Sequence, residues 1–325
     1  MSTARDPFGS STTARPEPAT DSRPAAGRTP DGSRQGAASA AGTHTIVRVH
    51  VPERSLDSEL RAIRIVWRRE LTRFRADRIR IVTSLVQPVL FLFVLGSGLQ
   101  SLAGAGTHGV SVKTFMYPGI LCMTVLFTAL FSAASIVWDR EFGFLREMMV
   151  APVRRSSLVL GKCMGGATVA GLQGVIMIAL APLVDVPYSV PMILGIFALQ
   201  LLLAYMITAF GVMIAVRIKQ MQSFMGITQM IVMPMFFLSG ALFPVSNLPR
   251  WLEVLNRLDP LTYAVDPMKK LVFNNIDISP LARATLDPGL TWFGWPVPAI
   301  VSVGMVALLG VVMTGVAIWE FSSTE

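Results

Sequence analysis

The residues able to do chemistry in this chain are few, and their spacing excludes most reactions. Its three histidines, His44, His50 and His108, are scattered, without the spacing that holds a metal ion. Cys122 and Cys163 lie within or beside long apolar runs and suit small buried apolar roles rather than a metal or redox pair. A phosphate-cradling loop needs a glycine five residues ahead of a Gly-Lys-Ser/Thr run, so that backbone N–H groups surround the phosphates. The Gly161-Lys162 pair is followed by Cys163 and preceded at that offset by Ser156. The chain is therefore expected to bind no cofactor of its own and to hydrolyse no ATP alone.

Two segments have the make-up of contact elements. The first runs from Asp139 to Ser157 and contains Glu141, Phe142, Phe144, Leu145, Arg146, Met149 and Pro152. Asp139 can cap a short helix whose apolar side carries Phe142, Leu145 and Met149, and Pro152 breaks it. Such a helix can insert into a groove on a partner. The second segment follows a later apolar run. Pro249 starts a helix in which Trp251, Leu252, Leu255 and Leu258 share one face, and Asp259-Pro260 ends it ahead of Tyr263. Too short to cross a bilayer, this face is expected to dip into the outer leaflet or cover the bundle.

The elements that must position these segments are membrane spans. Only 15% of the 325 residues are charged and 52% are hydrophobic, where soluble domains carry roughly a quarter charged. Runs of about twenty uncharged residues match a hydrocarbon core of roughly 30 Å. Six spans are expected, near 81–102, 117–138, 165–184, 190–216, 223–243 and 297–319. Pro88 and Pro234 kink two of them, and Asp185-Val186-Pro187 makes a tight turn between the third and fourth. The fold class is an all-α integral membrane protein.

Residues 1–53 are rich in Ser, Thr, Ala, Pro, Gly and Arg and carry too few large apolar residues to fold; a disordered tail is expected there. Over 54–80, Leu56, Leu60, Ile63, Trp67, Leu71 and Phe74 recur at helical spacing among arginines, as in an amphipathic helix at a bilayer surface. The net charge of +8 belongs to these flanks, so anionic lipid rather than nucleic acid is the expected partner. Fifteen Lys and Arg residues fall on one side: eight in Arg61–Arg80, then Arg140, Arg146, Arg154, Arg155 and Lys162, then Arg217 and Lys219. Six fall on the other side, namely Lys113, Arg250, Arg257, Lys269, Lys270 and Arg283. This bias places both termini in the cytoplasm of a multi-pass plasma-membrane protein.

Polar residues inside the spans are Gln87, Gln173, Gln200 and Gln229, with ionisable groups absent from the central turns. Ion-coupled carriers bind their coupling ion near the midplane through such groups, so their absence favours a machine driven from outside the bilayer. The glutamines also suit a role as hydrogen-bonded glue between helices.

On these residues the chain resembles the ABC type-2 transporter permeases, in particular the daunorubicin-resistance and drug-exporting branch. The resemblance rests on Asp139-Arg140-Glu141 through Leu145, Ala151-Pro152-Val153, Arg155 and Gly161-Lys162, and on Ser239-Gly240 through Phe243-Pro244. It continues through Leu248-Pro249, Trp251-Leu252, Asp259-Pro260-Leu261-Thr262-Tyr263 and Val265-Asp266. It covers residue 56 onward, and Phe142-Gly143-Phe144 is bulkier than the family's usual residues there.

The resemblance implies that Leu56–Arg80 is an interfacial connecting helix and that Glu141–Val150 is a coupling helix seated on an ATPase subunit. It implies outer re-entrant helices over Leu248–Asp266. Two permeases, identical or related, would join two ATP-binding subunits that use ATP and magnesium. An amphiphilic or apolar drug, antibiotic, lipid or polyketide would leave between the permeases, past Gln87, Gln229 and Phe236. Export of a lipid-linked polysaccharide, a secondary transporter or channel, and a membrane scaffold stand as rival readings.

Overall fold

A computed structural model describes residues 55–103, 110–143, 154–244, 249–276, 278–286, 289–292 and 295–323. The tail expected over 1–53 lies outside the described residues.

Helix α1 (Leu56–Ala76) begins at Ser55, whose hydroxyl accepts from the Ser58 N–H. Asp57 and Glu59 lie in its first turn and Arg73 and Arg75 in its last, matching the helix dipole at both ends. Asp77 then breaks the chain and caps α2 (Arg78–Leu90), accepting from the Arg80 N–H at 3.0 Å. Pro88 lacks an N–H to donate, and three residues on the helix widens into a π-turn over Phe91–Leu95 before α3 (Gly96–Ala103).

Long helices follow: α4 (Val112–Glu141), α5 (Arg155–Ala179), α6 (Val190–Arg217) and α7 (Met221–Leu238). A 3₁₀ turn over Ala181–Val184 follows α5, and Asp185 closes it in the left-handed region at φ 58°, as the expected tight turn requires. Short helices α8 (Arg250–Leu258), α9 (Thr262–Phe273) and α10 (Pro280–Leu286) come next. A two-residue ribbon, β1 (Thr291–Trp292) with β2 (Trp295–Pro296), then leads into α11 (Ala299–Ser323).

Among the described residues, six helical segments are long and apolar enough to cross a membrane: Arg78–Gln100, α4, α5, α6, α7 and α11. In α4 89% of the most apolar stretch is buried, against 17% in Arg78–Gln100, 28% in α7 and 22% in α11, which makes α4 the central post. Helices α5, α6 and α9 pack on α4, and α11 packs on α6. The third span begins ten residues earlier than expected, at Arg155 rather than 165, because α5 carries its first turns along α1.

Contacts define two ends of the bundle. At one, Arg140 donates to the carbonyls of Val216 and Ile218, Arg155 donates to Phe321 and Ser322, and Arg217 pairs with Glu320 at 2.6 Å. Arg140 and Arg155 thereby satisfy orphan carbonyls that close α6 and α11. At the other end, the Thr114 hydroxyl donates to Val184 O at 2.7 Å and Phe115 stacks on Phe273 at 6.3 Å.

Candidate functional site

The arginine-rich end holds the most elaborate polar arrangement among the described residues. The face α1 turns to α5 is Glu59, Ala62, Val66 and Glu70, not the apolar stripe, which is offset by about a quarter turn. Close approach is possible because α5 presents Gly161 and Gly165. A Cβ at Gly161 would lie 2.8 Å from Val66 Cβ, and one at Gly165 would lie 2.8 Å from Glu70 Cβ and Cγ.

Glu70 and Lys162 meet in that crevice. The Lys162 ammonium donates to Glu70 at 2.6 Å, to Ser135 Oγ at 2.7 Å and to Asp139 at 3.1 Å, with all four residues buried. The other oxygen of Asp139 accepts from Arg69 at 2.9 Å and Arg73 at 3.1 Å. Two carboxylates and three cations thus join α1, α4 and α5, and every member has a charged partner, as buried ions require.

A second catch lies along the same helix. The Glu59 carboxylate accepts from the Arg154 backbone N–H at 3.2 Å and from the Ser157 hydroxyl. Helix α1 therefore grips the last turn of α4 through Asp139 and the first turn of α5 through Arg154 and Ser157. The chain between those turns, 142–153, is anchored to one helix at both its departure and its return.

Asp139 was expected to cap a new helix; it instead belongs to the final turn of α4, its carboxylate turned to α1 and α5. Lys162, expected in a loop, is buried within α5. Glu141 is the last residue of α4 and exposed, and Phe142 caps it, 72% exposed. Phe144, Leu145, Arg146, Met149 and Pro152 lie outside the described residues.

Pro249 precedes α8 as expected. Trp251, Leu255 and Leu258 are exposed on one face, whereas Asn256 turns inward and donates to the carbonyl of Leu238 and to Thr262. Leu252 is half-buried, and Pro260 packs at the turn into α9. Tyr263 is buried, donates to Arg257 O at 2.7 Å and meets Trp292 edge-to-face at 6.2 Å. Asp259 accepts from Leu261 N–H and Thr262 at the start of α9, yet burial pushes its carboxyl up to about 7.

Gln87 and Gln229 are exposed on α2 and α7, while Phe236 is buried in the core beside Phe237 at 5.9 Å; no hydrogen bond links the three. Gln173 takes the gluing role: it accepts from Thr128 and donates to Ser84, joining α5 to α4 and α2. Trp67, expected at headgroup level, donates its indole N–H to Thr168 at 3.0 Å. Glu59, Glu70 and Lys162 were missed as a set. The available signal was a pair of carboxylates eleven residues apart, with Ala62 and Val66 between them on one face of an arginine-rich helix.

The family model described as ABC-2 type transporter matches residues 61–273, and the chain belongs to that family. The inner membrane transport permease YadH of Escherichia coli K12 is 27% identical over 210 residues, 63% of this chain and 80% of YadH. Nodulation protein J of Rhizobium leguminosarum bv. viciae is 25% identical over 244 residues, 74% of this chain and 92% of that protein. The ycf38 protein of Cyanophora paradoxa is 28% identical over 211 residues, 64% and 72% of the two chains. The chain is an integral membrane subunit of a transporter, crossing the bilayer several times on all-α architecture.

Proposed function

We propose that this chain is the permease of an ATP-driven exporter in the plasma membrane, powered by a separate ABC ATP-binding subunit seated on residues 141–150, the segment between α4 and α5. One observation carries the reading. Among the described residues, the buried acidic and basic side chains lie toward the two ends of the bundle: Glu59, Glu70, Asp139, Lys162 and Glu320 gather where that segment leaves and rejoins the helices, and Asp259, Asp266 and Lys269 lie toward the other end. Charges at the ends of the bundle support a machine pushed from outside the bilayer, where an ion-coupled carrier would concentrate them near the midplane.

The Lys and Arg bias supports placing this end, and both termini, in the cytoplasm. ATP and magnesium then act in the partner, in a complex of two permeases, identical or related, and two ATP-binding subunits. The substrate is an amphiphilic or apolar drug, antibiotic, lipid or polyketide; this finer reading rests on the resemblance to drug-exporting permeases. Export of a lipid-linked polysaccharide is the second reading within the same mechanism.

Residues 141–150 are the place to test it. Losing a buried interface anchor commonly weakens binding by about 2 kcal/mol or more, roughly thirtyfold. Leu145→Asp is expected to leave the permease in the membrane while abolishing copurification of the ATP-binding subunit and substrate-stimulated ATP hydrolysis. Glu141→Ala acts in the same direction but more weakly, since its exposed carboxylate is screened. Thr107→Asp, in the loop that follows the first span in the sequence, serves as the control. Copurification and stimulated hydrolysis unchanged in Leu145→Asp would remove this segment from the coupling role.

A further inference from the structure

Helix α7 packs thinly along its length, with 28% of its most apolar stretch buried, yet it is fastened at both ends. At its far end Asn256 donates to the Leu238 carbonyl and Lys269 to that of Gly240. At its near end the chain passes from α6 to α7 through residues 218–220 alone. Ile218 and Gln220 are both extended, and no side chain caps the first turn of α7. Arg140 holds this link: one guanidinium nitrogen donates to Val216 O at 2.7 Å and to Ile218 O at 3.1 Å. Phe224, in the first turn of α7, is buried in the apolar cluster that also holds Val137 of α4 and Val216 of α6.

The placement of Arg140 serves more than capping. It stands in the last turn of α4, directly ahead of residues 141–150, and reaches away from them to carbonyls 76 and 78 residues later. Arg217, which ends α6 itself, is turned aside to Glu320 of α11 and leaves the link to Arg140. Water can satisfy carbonyls at a helix end. A guanidinium from another span also ties the two spans together, through charge-assisted bonds roughly twice as strong as neutral ones. Displacement of the end of α4 therefore carries the link, and Phe224 passes it to the first turn of α7 while Asn256 holds the far end as a pivot. Rigid helices joined by a few strong bonds are the kind of chain through which coupling travels.

We infer that Arg140 is a positioning residue that carries displacement of residues 141–150 into the start of α7, swinging that helix about its far end. Gln222, Gly226 and Gln229 are exposed on one face of α7, and the swing reorients that face. The inference rests on the proposed docking of an ATP-binding subunit on residues 141–150, and adds the span that the docked subunit moves.

Cys122 and Cys163 are both buried, so a fluorophore on Gln222→Cys reports on the first turn of α7. The full chain, copurified with its ATP-binding subunit, is placed in vesicles, and iodide quenching is compared with and without a non-hydrolysable ATP analogue. The analogue is expected to change the quenching when Arg140 is present. Arg140→Met is expected to keep the ATP-binding subunit and its basal ATP hydrolysis, but to shrink that change by about fivefold or more, within the range of coupling between linked sites. Arg140→Lys, whose ammonium still donates to carbonyls, should retain most of it. Arg217→Met removes the Glu320 pair at the same helix end without touching the link, so it should lower thermal stability and leave the change intact.

No change with Arg140 present, an undiminished change in Arg140→Met, or an equal loss in Arg217→Met would each overturn the inference. Loss of the ATP-binding subunit from Arg140→Met would also overturn it, by assigning the residue to docking. A subunit that fails to copurify even with Arg140 present would remove the underlying reading, and the inference with it. Should Arg140→Met not reach the membrane, two glycines inserted between Ile218 and Lys219 decide. They leave Arg140 bonded but slacken the link, so the change should vanish, and its persistence would overturn the inference.

Discussion

Lys162 offers the sharpest perturbation of the clamp. Its ammonium sits 2.6 Å from Glu70, 2.7 Å from Ser135 and 3.1 Å from Asp139, nearly excluded from solvent. In Lys162→Met, Asp139 keeps Arg69 at 2.9 Å and Arg73 at 3.1 Å, but Glu70 retains only Arg73 at 3.9 Å. Glu70 becomes the uncompensated buried charge, and breaking such a pair costs about 3–5 kcal/mol. At roughly 2–4 °C per kcal/mol for a chain of this size, the lower figure lowers the midpoint by about 6–12 °C. Thermal unfolding in detergent, followed by size-exclusion fluorescence, reads that shift. Lys162→Met combined with Glu70→Met removes both charges from the crevice and is expected to recover most of the loss, because an apolar replacement of a buried pair is near neutral. Glu253→Ala, in the partly exposed i,i+4 pair with Arg257, is the control and should change stability by under about 0.5 kcal/mol. A single variant within about 1 °C of the native midpoint, or a double variant no better than the single, would refute the reasoning.

Other regions give independent tests. Asp259 holds its proton to about pH 7 in the folded chain and to 3.8 unfolded, so the folded state binds more protons between those values. Stability should therefore be greatest below the lower value, fall by up to about 4 kcal/mol toward pH 7, and level off above it. Asp259→Asn should flatten the dependence, as thermal midpoints from pH 5 to 8 would reveal. Gln200 is fully buried against Gly174, and neither atom of its amide has a hydrogen-bond partner among the described residues; Gln200→Met should raise stability by about 1–2 kcal/mol, and a loss would show that the amide is satisfied. For topology, cysteines at exposed Gln220 and Asn274 stand at opposite ends of the bundle, against native thiols that are buried. An impermeant thiol reagent should reach Asn274→Cys in intact cells and Gln220→Cys only after permeabilisation; the reverse would invert the orientation.

The helices were legible because apolar run length registers directly in composition. The expected spans fall on α2–α3, α4, α5, α6, α7 and α11 with modest shifts at their ends. The exception at the start of α5 has a physical cause. Gly161 and Lys162 look like loop residues until a second helix is present, yet Gly161 and Gly165 admit α1 and the lysine is neutralised by Glu70 and Asp139. Periodicity located α1 and its apolar stripe, but it gave no sign that the face packed on α5 carries two carboxylates, because their partners come from distant turns. In α8 the spacing placed Trp251, Leu255 and Leu258 together on one face, but it could not show that Asn256 would be the residue turned inward, since its acceptor is the carbonyl of Leu238 eighteen residues earlier.

The central claim is that the chain moves a substrate with energy supplied by another subunit, and ATP turnover in reconstituted vesicles tests it most directly. The pure chain, with no other subunit detectable by mass spectrometry, should neither bind nor hydrolyse ATP. Together with its ATP-binding subunit it should hydrolyse ATP, with turnover that rises on addition of an exported amphiphile and vanishes with Leu145→Asp. Turnover by the pure chain, or substrate movement driven by an ion gradient with ATP absent, would contradict the account.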